Sequence, residues 1–240
     1  MRTWVLLSMS LLAGCSSFEL GTETAGELRH VTFAYQTGRG CFFGCSLQSP
    51  MLRGTQEIVS ADGPLSLSGA TVSIEPKGVV QLGDIDSRPT GDGRQVLSLP
   101  VSAIGVGETR LSITDAQGAL IDRVTLRVDD AARVSAEWAV MVPDPKLGST
   151  EKNWTTSTDV QLSRQNGVID FSAYDAGGRQ LQAARGFARS FSQPGVVKVN
   201  TLTSDDYLLE LEPTLTGSTT LTATSQSGVS TKLTITTQAP

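Results

Sequence analysis

The chain has 240 residues, 39% of them hydrophobic and 18% charged, enough apolar material for two domains of roughly 100 residues and too much for a chain disordered throughout. A formal net charge of -5, with no Lys/Arg cluster, argues against a nucleic-acid partner, because phosphate binding needs a concentrated basic face. The 24 glycines and 5% aromatics suit short strands and many turns better than long helices.

From the start of the chain, Arg2 precedes an apolar run over 4–12 broken by Ser8 and Ser10. The run falls well short of the roughly 20 residues of a membrane-spanning helix, and residues 1–14 read as a removable signal peptide. Its end, Leu12, Ala13, Gly14, Cys15, resembles the lipobox of bacterial lipoproteins. That resemblance implies cleavage before Cys15 and acylation of its thiol by a diacylglycerol, with palmitate-type chains anchoring the mature N-terminus in the membrane. The non-acidic Ser16 implies delivery to the outer membrane, on its periplasmic or its cell-surface side. An ordinary secretory signal, with Ala13 and Gly14 as the small residues before cleavage and Cys15 unmodified, is the other reading.

Residues 16–40 are rich in Gly, Thr, Ser and Glu and begin as a tether; a strand is expected over 28–35, with Val31, Phe33 and Tyr35 on one face. Cys41 and Cys45 then flank Phe42, Phe43 and Gly44. Outside the cytoplasm, an even pair left after lipidation is most simply a disulfide, and so small a loop contributes about 2 kcal/mol at best. Metal binding needs more ligands than two thiols, and the single histidine, His30, has no second imidazole to join it. A redox pair usually has the CxxC spacing, which these cysteines lack. Phe42 and Phe43 either plug the end of an adjacent domain or form an exposed tip that touches a partner.

Further along, the two halves end alike. Gly107 opens a run with Thr109, Leu111 and Ile113, a turn follows at 115–118, and the next strand has Val124, Leu126 and Val128 inward. Gly217 opens a matching run with Thr219, Leu221 and Ala223, a turn follows at 225–228, and Leu233 and Ile235 point inward. Both alternate apolar and polar residues at period two, as half-buried antiparallel strands do, with glycine in each turn. This Thr-rich pattern resembles the bacterial immunoglobulin-like domains, whose first hairpin carries an A-x-D-x-x-G-x-x-L motif filled here by Ala173, Asp175, Gly178 and Leu181. The first half, with early strands expected at 58–60 and 70–74, lacks that motif. The resemblance implies an all-β chain of two tandem immunoglobulin-like antiparallel β-sandwiches after the signal and tether. Its divisions are 1–14, signal; 15–48, lipidated N-terminus, tether and cysteine loop; 49–130, first sandwich; and 131–240, second sandwich.

Val134, Ala136, Trp138, Val140 and Val142 alternate as a long first strand of the second half, with Trp138 expected in the core. Pro143 and Pro145 should end that strand and open a loop over 143–158, where Trp154 is a candidate contact residue. Carboxylates gather at Asp84, Asp86 and Asp92 and again at Asp205, Asp206 and Glu210. Calcium or a pair of catalytic acids could use such groups, but Asp, Gly and Pro over 83–93 read more simply as turns. No metal or other cofactor is expected, and no HExxH, phosphate loop or nucleophile elbow occurs, so the chain reads as a non-enzyme. The function expected is that of a membrane-anchored envelope lipoprotein with a structural, adhesive or ligand-binding role toward a protein or glycan. The alternative is a periplasm-facing accessory subunit of an envelope assembly, docked through Phe42 and Phe43.

Overall fold

In the computed structural model, which describes residues 23–36, 46–144, 149–152, 154–163, 165–183, 186–201 and 208–238, the chain forms two immunoglobulin-like β-sandwiches in tandem. The first contains β1 (Thr24–Ala25), β2 (Thr32–Tyr35), β3 (Met51–Leu52), β4 (Gln56–Pro64), β5 (Thr71–Glu75), β6 (Val80–Leu82), β7 (Asp86–Pro89), β8 (Arg94–Ala103), β9 (Gly107–Thr114) and β10 (Leu120–Asp129). The second contains β11 (Arg133–Asp144), β12 (Ser149–Lys152), β13 (Asp159–Ser163), β14 (Gly167–Tyr174), β15 (Gln180–Leu181), β16 (Phe187–Phe191), β17 (Val197–Thr201), β18 (Leu208–Pro213), β19 (Gly217–Ser225) and β20 (Ser230–Gln238).

Each sandwich stacks a six-stranded sheet on a four-stranded one. The first pairs β1-β2-β4-β8-β6, with β7 also on β8, against β3-β10-β9-β5; the second pairs β12-β11-β14-β18-β17, with β15 on β14, against β13-β20-β19-β16. The internal repeat is therefore a repeat of topology. In both, a strand early in the chain, β3 or β13, lies parallel to the last strand, β10 or β20, while the remaining pairs are antiparallel.

Period-two alternation builds the cores. Leu111 and Ile113 of β9 face Val59 and Ala61 of β4, Leu97 and Leu99 of β8, and Val31, Phe33 and Tyr35 ahead of them, all within one buried cluster. The strand expected over 28–35 is thus present as β2, and the sheet of the first sandwich takes in strands from before residue 49. In the second sandwich, Leu221, Ala223, Leu233 and Ile235 meet Ile169, Phe171, Leu209 and Leu211. Three hairpin turns share one geometry: the N–H groups of Gly118, Gly178 and Gly228 donate to the carbonyls of Asp115, Asp175 and Ser225, each at 3.0 Å. The three glycines have φ of +84°, +80° and +87°, a left-handed conformation that disfavours any side chain.

Two segments expected as loop or turn are strands. Within 143–158, β12 pairs with β11 through Met141↔Lys152 to Asp144↔Ser149, so Pro143 sits inside a strand opposite Thr150. Proline is tolerated there because β11 pairs with β14 only as far as Val140, leaving its far end bonded on one side. Within 83–93, β7 pairs with β8 through Asp86↔Ser98 to Pro89↔Gln95, and only Thr90 to Gly93 turns. Trp138 packs at the edge of the second core rather than inside it, because its indole N–H needs an acceptor and donates to the Ser157 carbonyl at 3.0 Å.

One polar atom in the first core stands apart. Tyr35 is fully buried, and its hydroxyl has no hydrogen-bond partner among the described residues. Burial, and secondarily the charge of Glu57, pushes its ionisation far above the ordinary tyrosine range. Deleting an unpaired buried hydroxyl removes a cost and no interaction, so Tyr35→Phe is expected to leave stability unchanged or raise it by up to ~1 kcal/mol, measured by urea unfolding. A clear loss of stability would reveal a bond made by that hydroxyl.

Candidate functional site

The sequence-predicted residues divide by position. Cys15, Cys41, Cys45, Phe42 and Phe43 lie outside the described residues, as do Asp205 and Asp206. Gln36 donates its N–H to Ile58 at 2.8 Å, and beyond the cysteines the N–H of Leu47 donates to the Thr24 hydroxyl at 2.9 Å, so both flanks of the 37–45 stretch attach to the first sandwich. Trp154 is described and 41% exposed. It is placed by its neighbour Thr155, which exchanges backbone bonds of 2.8 and 2.9 Å with Trp138 and so lays the 154–157 segment along β11.

Among the described residues, the acidic groups do not assemble. Asp84 and Asp86 are exposed, Asp92 bonds the Thr90 hydroxyl within its own turn, and Glu210 accepts from the Asn166 side-chain amide at 2.8 Å. That Thr90 bond is the first cause of the lowered Asp92 pKa. Among the described residues, no three His, Cys, Asp or Glu side chains come close enough to hold a metal ion. His30 is exposed and takes part through its backbone.

Two other places carry the specific polar chemistry, and the sequence motifs mark Asp175 alone among their charged residues. The first surrounds Asp122, which is fully buried at an inward position of β10, in phase with Val124, Leu126 and Val128. Its carboxylate accepts four backbone N–H groups: Leu28 and Arg123 on one oxygen at 2.8 Å each, His30 and Val31 on the other at 2.8 and 2.9 Å. Burial works against the charge, but these donors outweigh it and hold the pKa below the ordinary aspartate range. Glu27 adds an outer ion pair to Arg123, so residues 27–31 are fastened onto the last strand of the first sandwich.

The second place is the junction between the sandwiches. The two residues of β3 part company there, Met51 joining the first core and Leu52 the second. Leu52 donates its N–H to the Gln182 carbonyl at 2.7 Å, and Gln182 returns its N–H to Pro50 at 2.8 Å. Gly186 packs so closely that a Cβ on it would lie 2.8 Å from both Leu52 and Thr55 side chains. Ion pairs close the rim. Arg53 grips Asp130 through two nitrogens at 2.8 and 3.2 Å, and Arg179 spans Asp175 at 2.7 Å and Asp129 at 3.5 Å. The backbone N–H of Arg179, first, and then its guanidinium hold the Asp175 carboxyl below the usual range against the effect of burial. The A-x-D-x-x-G turn of the second sandwich therefore faces the end of the first.

No protein-family model matches the chain, and no curated protein matches it. Among solved structures it is similar to domains 5–6 of the S-layer protein SbsC, at 12% identity and a TM-score of 0.32, over 80% of this chain and 94% of that one. It is also similar to the Yersinia pseudotuberculosis adhesin InvE, at 16% identity and a TM-score of 0.32, over 80% of this chain and 57% of that one. A third likeness is to the Bacteroides ovatus mixed-linkage glucan utilization locus protein SGBP-B, solved with a mixed-linkage heptasaccharide, at 15% identity and a TM-score of 0.33, over 79% of this chain and 43% of that one. The sandwich fold follows from the sheet order and register given above, independently of these likenesses.

Proposed function

We propose that this chain is a non-catalytic lipoprotein of the bacterial cell envelope, anchored in the outer membrane by acylated Cys15 and presenting its two sandwiches to a protein or glycan. The observation that carries this reading is the position of Cys15, directly after Ala13 and Gly14 at the end of a short apolar run. Two sandwiches in series, with Asp122 and the Arg179–Asp129 pair engaged in fastening, agree with a role in holding a surface at a distance. A Cys41–Cys45 disulfide would close a small loop around Phe42 and Phe43, and Trp154, next to the Thr155 that bridges to β11, is the contact residue of the second sandwich.

The reading is tested by feeding cells an alkyne-tagged palmitate and fractionating their membranes. The expected result is a labelled chain in the outer membrane, with Cys15→Ala unlabelled and released to the soluble fraction. A Cys15→Ala chain that keeps both label and membrane would overturn it. Protease applied to intact cells then separates the cell-surface from the periplasmic side, cleavage without lysis marking the former.

A further inference from the structure

Three turns meet at the end of the first sandwich that lies away from the second: 26–30 between β1 and β2, Leu65–Leu67 after β4, and 115–118 before β10. Asp122 binds the first of them to the start of β10, and a Cβ on Gly63, at the end of β4, would lie 3.1 Å from Val31 and 3.3 Å from the His30 carbonyl. Each turn brings one large apolar side chain to this end, and Leu28, Leu65 and Leu120 are 43, 56 and 41% exposed. Leu67 of the same turn as Leu65 points inward and is wholly buried, so the turn is packed and Leu65 is its outward residue.

The charges of this end are arranged around the leucines. Its acids are engaged: Asp62 with Arg94, Glu27 with Arg123, and Asp115 with the N–H groups of Gln117 and Ala119. Arg29 is exposed and forms no ion pair among the described residues. Its φ of +61° is a left-handed conformation that, among the described residues, only glycines share. Such a conformation costs energy and persists where its surroundings impose it. Here the Arg29 N–H donates to the Gly26 carbonyl at 3.0 Å, and Asp122 holds Leu28 and His30 on either side. The loop is thus fixed with Leu28 and Arg29 turned outward.

This end is also the one nearest Cys15. Residues 16–23, which join Cys15 to Thr24, reach at most roughly 30 Å when fully extended. Strand β10 alone runs about 33 Å from this end to the junction, so a lipid on Cys15 keeps the 26–30 turn close to the bilayer and the second sandwich beyond it. We propose that this end of the first sandwich rests on the lipid surface in which Cys15 is anchored. Leu28, Leu65 and Leu120 enter the boundary between headgroups and acyl chains, and the Arg29 guanidinium meets headgroup phosphates. The inference rests on the anchored reading, which supplies the membrane and the short leash.

Its test replaces the lipid. The chain from residue 16 onward, carrying a polyhistidine tag ahead of it, is held on vesicles of phosphatidylethanolamine, phosphatidylglycerol and a nickel-chelating lipid, with and without bromine on the acyl chains. Tryptophan emission is then read. Leu65→Trp and Leu120→Trp are expected to lose emission to bromine beyond any loss in the wild-type chain, whose Trp138 and Trp154 belong to the second sandwich. Leu215→Trp, exposed at the far end of the second sandwich just before β19, should show no such added loss. Adding Arg29→Glu to Leu65→Trp should lessen its quenching. Emission of Leu65→Trp and Leu120→Trp untouched by bromine, or quenched no more than that of Leu215→Trp, would overturn the proposal. Because the nickel-chelating lipid stands in for the acyl group, that outcome leaves the Cys15 reading untouched, and a failure of acylation in cells leaves the quenching result untouched.

Discussion

Asp122→Ala is expected to lower the stability of the first sandwich by about 3 kcal/mol. The substitution leaves the N–H groups of Leu28, Arg123, His30 and Val31 without their acceptor, that of Val31 in a buried place and the other three in partly buried ones. Stranding buried donors costs about 1–3 kcal/mol each, and only the part of the 27–31 segment that can swing outward recovers solvent bonds. Asp122→Asn keeps one oxygen acceptor and should fall between wild type and alanine. Urea unfolding followed by a probe in the first sandwich measures both, and faster hydrogen exchange of the Val31 amide should accompany the loss. An alanine variant as stable as wild type would show that the fastening contributes nothing.

The same carboxylate gives the stability a pH dependence of known sign. Its folded pKa lies below the unfolded value, so its contribution is fully present above the ordinary aspartate range near 3.9. It is lost as pH falls from there through the lower, folded pKa, because the unfolded chain takes up the proton first. Asp122→Asn, which cannot titrate, should therefore lose less stability than wild type over that acid interval, and the two curves should run parallel at neutral pH.

What the sequence made legible follows from how side chains report burial. Strands with one wet and one dry face announce themselves: β9, β10, β19 and β20 alternate over eight or more residues and end at glycine turns, so their hairpins were readable in full. Strand β7, Asp-Ser-Arg-Pro, is exposed along its whole length and carries no apolar face to read. Strand β12, Ser-Thr-Glu-Lys, likewise has no apolar residue. Strand β3 is two residues long and sends its side chains to different cores, so no period can be seen in it. Asp122 did leave a signal, since an acidic residue in phase with Val124, Leu126 and Val128 must either face inward with partners or break the strand. Three of its four partners are backbone N–H groups 94, 92 and 91 residues away in sequence, and no side-chain motif encodes them.

Leu52 is the other position where one side chain matters most, and Leu52→Ala should cost about 2–4 kcal/mol, as removal of a fully buried leucine does. The destination of that cost is the informative part. Leu52 belongs by chain to the first sandwich and by packing to the second, so the cavity opens in the second core while the strand that supplied it stays paired with β10. If the junction couples the two sandwiches, wild type unfolds in one thermal transition, and Leu52→Ala separates it into two, the second sandwich melting first. Gly186→Val tests the same contact from the opposite face by overpacking rather than emptying it, because its side chain would have to share the space of Leu52 and Thr55 at 2.8 Å. Both variants should also weaken the Arg179–Asp129 contact at the rim, which holds only while the two ends stay in register. Two transitions already present in wild type, at temperatures neither variant moves, would mean that the sandwiches merely touch; one transition that divides on either substitution means that the second sandwich depends on a residue of the first.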